Sequence, residues 1–145
     1  MIYRHRFQVH SPFKRVAEFH SHSTSLAAIT PPPIIIQMQH APQVLMDGDQ
    51  MEFTMWLGPF PIHWLARIEA VSSNGFTDRQ LSGPLAEWVH QHTFVVVDEQ
   101  TTEVVDEITL RLRSHPFWWL VGMGMQLSLP ILFAYRAWKT RRTLQ

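Results

Sequence analysis

Short runs in which apolar and polar residues alternate make up most of this chain, and glycine and proline separate them. In "IYRHRFQVH" Tyr3, Phe7 and Val9 fall on one face and Arg4, Arg6 and Gln8 on the other, the period of a half-buried strand. "SPFKRVAEFHSHSTSLAAI" changes the period. With Ser11 as N-cap, Pro12 at the first helical position and Phe13, Val16, Ala17 and Phe19 turned inward, it predicts a pair of short helices. The three prolines of "TPPP" withhold backbone donors, so the strand predicted over Ile34 to Gln39 starts at an edge or corner. Asp47-Gly48, Gly58-Pro59, Asn74-Gly75 and Gly83-Pro84 then separate "QMEFTMWL", "IHWLARIEAVS", "FTDRQL" and "AEWVHQHTFVVV", and "TEVVDEITLRLR" follows beyond "DEQT". Hairpins in this sequence imply an antiparallel meander. The last segment, Pro116 to about Thr140, is too long for a strand. It carries Arg136, Lys139, Arg141 and Arg142 at its C-terminal end, where cations complement a helix dipole. The predicted order is β-α-α-β-β-β-β-β-β-α, an α+β chain.

Composition narrows the function classes. A chain of 145 residues suits one domain, residues 1–145, with one core. Twelve basic and twelve acidic side chains cancel, so no polyanion is implied and no nucleic-acid partner is expected. Six Trp, nine Phe and seven Met are a heavy load of large, adaptable apolar side chains, suited to a wide core or a soft-walled pocket. Cysteine is absent, which removes disulfides, thiolate nucleophiles and thiolate metal sites and fits a reducing compartment. "MIYRHRFQVH" alternates where a signal peptide would carry a continuous apolar run, so the expected location is cytoplasmic. No phosphate-binding loop or cofactor fingerprint is present, and no cofactor is expected.

The element order, with "ITPPP" (29–33), "GPFPIHW" (58–64), "FTDRQLSGPLAEWVHQHTF" (76–94) and "LFAYR" (132–136), resembles the START-like superfamily, also called SRPBCC. Within it the pattern is similar to bacterial ligand-binding proteins of the polyketide cyclase/dehydrase type. Leu85 departs from the pattern, where an aromatic residue would be expected after Gly-Pro. The resemblance implies a helix-grip fold: a curved seven-stranded antiparallel sheet, two short helices, and a long C-terminal helix held in the concave face. Such a sheet need not fill its interior, and the remaining space is an apolar binding site for a small or medium hydrophobic ligand. Expected wall residues are Trp64, Ala66 and Ile68 on one strand, Phe53, Met55 and Leu57 on another, and Ile108, Leu110 and Leu112 on the last. Each is equally readable as core.

Polar groups recur at every second position in residues 76–94: Asp78, Gln80, His90 and His92. Trp88, His90, His92, Phe94 and Val96 share one face. A two-residue Asn74-Gly75 turn would place Asp78 beside the charged Arg67/Glu69 face. A three-residue Ser73-Asn74-Gly75 turn with Gly75 left-handed places Phe76, Asp78 and Gln80 beside Ser72, Ala70 and Ile68, and this is the expected turn. If Trp88 faces inward so do His90 and His92, joined by Asp106 from a strand whose apolar partners are Ile108 and Leu110. Buried polar groups need partners. Three roles stay open for this row: a self-satisfied His-Asp network that fixes register, recognition of a ligand's polar head, or acid/base chemistry of a cyclase or dehydratase. In the last, His90 or His92 is the base and Asp78 or Asp106 the orienting carboxylate. His90-x-His92 with Asp106 also offers two imidazoles and a carboxylate to a metal. HxH arises readily by chance and the resemblance implies no metal, so none is expected. His5, His10, His20, His22, His40 and His115 show no ligand spacing, and most are expected in solvent.

From Phe117 to Tyr135 nineteen residues carry no charge and a basic cluster follows, which meets the length rule for a membrane span. Gln126, Ser128 and Pro130 interrupt the run, and the open sheet needs a helix over its concave face. The expectation is therefore a gripped helix kinked at Pro130, with Trp118 and Trp119 offering a lipid-facing or dimerising end. Membrane association through this helix stands as the rival class of function.

Overall fold

Phe7 and Val9 are buried while Arg4, Arg6 and Gln8 are exposed, as the alternation requires. The computed structural model describes residues 1–145. The elements in chain order are β1 (Ile2–Val9), α1 (Phe13–Ser21), α2 (Ser25–Ala28), β2 (Ile34–His40), β3 (Gln50–Leu57), β4 (Phe60–Ser72), β5 (Gly75–Ser82), β6 (Glu87–Asp98), β7 (Thr101–Arg111) and α3 (Pro116–Leu144). They form one seven-stranded antiparallel sheet in the order β1-β7-β6-β5-β4-β3-β2. The two short helices connect its two edge strands, β1 and β2, and α3 lies on one face.

The helix start differs from expectation. Pro12 itself is the N-cap of α1, in extended conformation, and no side chain caps the helix. Ser11 is buried instead, its carbonyl accepting a 2.9 Å bond from Thr102 Oγ1. The α3 helix also runs to Leu144, one turn beyond the predicted end, and continues through Pro130.

The β4–β5 turn differs in mechanism but keeps the parity. Ser72 pairs with Gly75, so the turn is the two residues Ser73-Asn74, and Gly75 is not left-handed. The register then shifts between Glu69 and Ser72, where Ala70 takes the left-handed conformation with φ 53°. This bulge absorbs the odd residue. Asp78 therefore pairs with Ile68 and Gln80 with Ala66, on the buried face of β4. A glycine is needed at 75 for a different reason: a Cβ there would stand 2.1 Å from the carbonyl oxygen of His92.

Packing is uneven beneath α3. Ala137 and Leu144 join Phe7, Val9, Val104 and Phe94 in one cluster, while Leu129 and Phe133 join Ile108, Leu110, Trp88 and Trp64 in another. The helix thus fills the β6–β7–β1 side of the concave face, each fully buried Leu, Ile or Phe contributing about 1.5–3 kcal/mol. Between α3 and the inner face of β2 to β6 a space remains unfilled, and that space is the cavity.

Candidate functional site

The cavity measures about 580 Å³ and is walled mainly by apolar side chains. Phe53, Met55 and Leu57 of β3 and Trp64 and Ala66 of β4 form one wall; Met125, Leu129 and Leu132 of α3 form the other. Leu26, Ile29, Pro31 and Pro32, from α2 and the segment after it, close a third side. Of the residues expected to line a ligand site, Phe53, Met55, Trp64, Asp78, Trp88, His90 and His92 do so. Ile108 and Leu110 do not: lying on β7, directly under α3, they are fully covered core. Ile68 and Leu112 are likewise absent from the wall, Ile68 being fully buried beside Leu45 and Met51. Gln80 is also corrected. Its amide donates to the Leu85 carbonyl at 2.7 Å and accepts from the Leu85 N–H at 3.2 Å, so it clamps the Gly83-Pro84 corner and does not reach the cavity.

The polar end of the cavity follows from strand register. His90 stands opposite Asp78 across β5–β6, and His92 opposite Asp106 across β6–β7. The hydrogen bonds run along the diagonals: His92 Nε2 donates to Asp78 Oδ2 at 2.7 Å and His90 Nε2 to Asp106 Oδ1 at 2.8 Å. The direct pairs are longer, at 3.5 Å for His90 Nδ1 to Asp78 Oδ2 and 3.6 Å for His92 Nδ1 to Asp106 Oδ1. The two imidazoles stack with centroids 3.7 Å apart. Phe76 stacks on His92 at 4.3 Å, and Phe133 meets His90 edge-on at 5.6 Å. All four side chains that sequence reasoning gave to acid/base chemistry, Asp78, His90, His92 and Asp106, thus meet in one cluster. Asp106 stands behind the rings, away from the cavity wall.

Burial pushes both carboxyls up, but other terms outweigh it. For Asp106 the His90 hydrogen bond and the charges of the histidines and Arg136 hold the pKa at about 2. For Asp78 the His92 hydrogen bond and the same charges hold it below its ordinary value. Burial, with the neighbouring His92, lowers His90 despite the Asp106 hydrogen bond. The carboxylates are therefore ionised and His90 is neutral near pH 7.

Two contributors escaped sequence reasoning. Arg136 of α3 lines the cavity at its polar end, with its guanidinium carbon 5.2 Å from the Phe133 ring centroid and its buried Nε without a hydrogen-bond partner. Burial lowers its pKa while Asp106 and Asp78 raise it; a guanidinium stays charged regardless. The signal was available, since Arg136 lies three and seven residues after Phe133 and Leu129 and so falls on the buried stripe. His20 belongs to the six histidines without ligand spacing, most of which were expected in solvent. It is buried four residues after Val16, on the same helical face, where its Nδ1 donates to the Val16 carbonyl at 2.9 Å. Burial lowers its pKa to about 4, and it too lines the cavity, as does the partly buried His22.

No family model and no curated protein sequence matches the chain. Solved structures do. The chain is similar to the Zhui aromatase/cyclase from a Streptomyces species at 13% identity, with TM-score 0.78 over 99% of this chain and 93% of that one. It is similar to the di-domain aromatase/cyclase BexL at 14% identity and TM-score 0.71, over 98% of this chain and 45% of that one. A Thermus thermophilus protein matches over 100% of both chains at 16% identity and TM-score 0.68. At these identities the likeness is one of fold.

Proposed function

Because the chain has the helix-grip fold of the START-like (SRPBCC) superfamily, we propose that it binds one small or medium, largely apolar molecule between sheet and C-terminal helix, in the cytoplasm. The observation that carries this reading is the cavity itself: about 580 Å³, apolar over most of its wall and ended by charged and hydrogen-bonding groups. That volume lies inside the roughly 300–1,000 Å³ of small-molecule sites. Arg136 gives the ligand its polarity, because its buried, unpartnered Nε calls for an acceptor such as a carbonyl or carboxylate oxygen.

The test compares a fluorescent fatty acid with a headless naphthalene-type probe on the wild type and Arg136→Met. Loss of the guanidinium should weaken the fatty acid by about 5–150-fold, the equivalent of a bond worth about 1–3 kcal/mol, and leave the headless probe nearly unchanged. Equal weakening of both probes, or of neither, contradicts the assignment of Arg136 to the ligand head.

One observation favours a second reading, cyclase or dehydratase chemistry. His92 lines the cavity and donates to Asp78 at 2.7 Å, the arrangement in which a carboxylate orients an imidazole for proton transfer. On that reading His92→Ala keeps the binding of both probes and lowers turnover of a keto-bearing substrate by about 10²–10⁴-fold. Unchanged turnover would dismiss it.

A further inference from the structure

Asp78, His90 and His92 line the polar end of the cavity side by side, and Asp106 stands behind both rings. One donor atom from each of the first three lies within 4.8 Å of the other two. Asp78 Oδ2 is 2.7 Å from His92 Nε2 and 3.5 Å from His90 Nδ1. Donors sharing an ion at bond lengths of about 2.0–2.2 Å stand roughly 3–3.5 Å apart. The two separations bracket that range.

The far side of each ring is also arranged. His90 Nε2 is 2.8 Å and His92 Nδ1 3.6 Å from one oxygen, Asp106 Oδ1. A metal-bound imidazole hands its remaining N–H to a carboxylate as His90 does here, which fixes tautomer and orientation, while His92 Nδ1 faces the same oxygen just beyond hydrogen-bond reach.

The proton positions carry the argument further. Asp106 is an acceptor, so His90 Nε2 holds the proton and the neutral ring keeps a lone pair on Nδ1, on the side of the Asp78 carboxylate. His92 Nε2 donates to Asp78, and its buried Nδ1 stays unpartnered beside Asp106. The His90 Nδ1 lone pair thus faces the Asp78 carboxylate, and His92 Nδ1 lies unpartnered against Asp106, away from water, a costly arrangement. The two carboxylates also outnumber the one guanidinium, Arg136. A divalent cation answers all three features. It takes the His90 Nδ1 lone pair and the Asp78 charge, and the His92 proton moves from Nε2 to Nδ1, where it serves Asp106.

We propose that Asp78 Oδ2, His90 Nδ1 and His92 Nε2 bind one divalent transition-metal ion, with Asp106 bracing both imidazoles and the remaining coordination position open to the cavity. Two nitrogens and one carboxylate oxygen suit zinc, iron(II) or cobalt(II), whereas calcium and magnesium favour all-oxygen sets. The HxH spacing offered Asp106 as the carboxylate of a metal set that was not expected to form; register makes Asp78 the ligand and Asp106 the brace. An ion here would offer its open position to the oxygen-bearing head of the ligand proposed above. The site itself stands without that ligand, because it rests on the protein's own donors.

The full chain, stripped with a chelator, is titrated with Zn²⁺ by calorimetry and with Co²⁺ by visible absorption, with no apolar ligand present. Saturable uptake of about one Zn²⁺ per chain is expected, with Co²⁺ bands of the strength that four- or five-coordinate sites give. Asp106→Asn should weaken Zn²⁺ by about 10–100-fold, His92→Ala should abolish the site, and His40→Ala, on an exposed histidine of β2, should change nothing. Unsaturable uptake, weak octahedral-type Co²⁺ bands, or a His40→Ala loss equal to that of His92→Ala overturns the proposal. The Co²⁺ spectrum needs no substitution, so the test survives a variant that fails to fold. Because no apolar ligand is used, failure here is distinguishable from failure of the ligand-binding reading.

Discussion

His20 shows how one buried residue couples the fold to pH. Its Nδ1–H is held by the Val16 carbonyl, and the ring is enclosed with Phe94 at 4.9 Å between centroids. The charged and titratable groups around it come from three elements: His92 of β6, Asp106 of β7 and Arg136 of α3. Burial outweighs them and sets the folded pKa at about 4, against about 6.5 for a free histidine. The unfolded chain therefore binds a proton that the folded chain refuses between those values. Stability is intact above about pH 6.5 and falls as pH drops toward 4, by at most about 3 kcal/mol from this residue. Asp106, depressed by its partners to about 2, adds a further loss below the ordinary carboxylate range as pH falls through its folded value. Urea unfolding from pH 7 to 4 should show a steeper loss for the wild type than for His20→Phe. Identical slopes would contradict the buried neutral state of His20.

At the scale of elements, α3 distinguishes its two glycines. A Cβ on Gly122 would meet Leu112 Cδ2 at 2.8 Å and Leu85 Cδ2 at 2.9 Å, so the ends of both leucines, one of them fully buried, must shift to admit it. A Cβ on Gly124 meets nothing within 4 Å. Gly122→Ala should thus cost about 1–2 kcal/mol, overpacking exceeding the helix propensity gained, while Gly124→Ala should stabilise by up to about 1 kcal/mol. Thermal unfolding of the two variants decides; a shared sign would place α3 wrongly against Leu85 and Leu112. The strands were legible because their period of two survives between Gly- and Pro-marked corners. The β4–β5 turn was not, because the left-handed residue is Ala70, and nothing in an alanine announces that conformation. The inward parity of Asp78 came out as expected because the bulge restored what the shorter turn removed. His90 and His92 could be placed given an inward Trp88, and Asp78 through a turn choice that the bulge made good, whereas Gln80, Ile108 and Leu110 could not be placed. For those three, everything depends on where α3 lies and what the Gly83-Pro84 corner needs, and these are tertiary facts absent from any local period.

For the whole molecule, α3 is both lid and outer surface. Its Pro116–Leu144 span is long and apolar enough to cross a membrane by length and composition, and little of its most apolar stretch is buried. Leu129, Phe133 and Ala137 seat it on the sheet, while Leu127, 72% exposed and absent from the cavity wall, faces outward. Withdrawing the helix would uncover the core, so the seated position is the one that accounts for the buried stripe. The same seating leaves the cavity between α3 and β2 to β6, and on that space the account rests. Its most direct test is equilibrium titration of a naphthalene-type probe into the wild type, Ala66→Phe and Leu127→Phe, with folding checked by circular dichroism. Ala66 lines the cavity and Leu127 does not. Saturable binding of about one probe per chain is predicted, lost when the phenyl group enters the cavity at 66 and kept when it is placed outside at 127. Unsaturable uptake, or saturable uptake that Ala66→Phe leaves intact and Leu127→Phe removes, would contradict the account, because the apolar site would then be the outer face of α3.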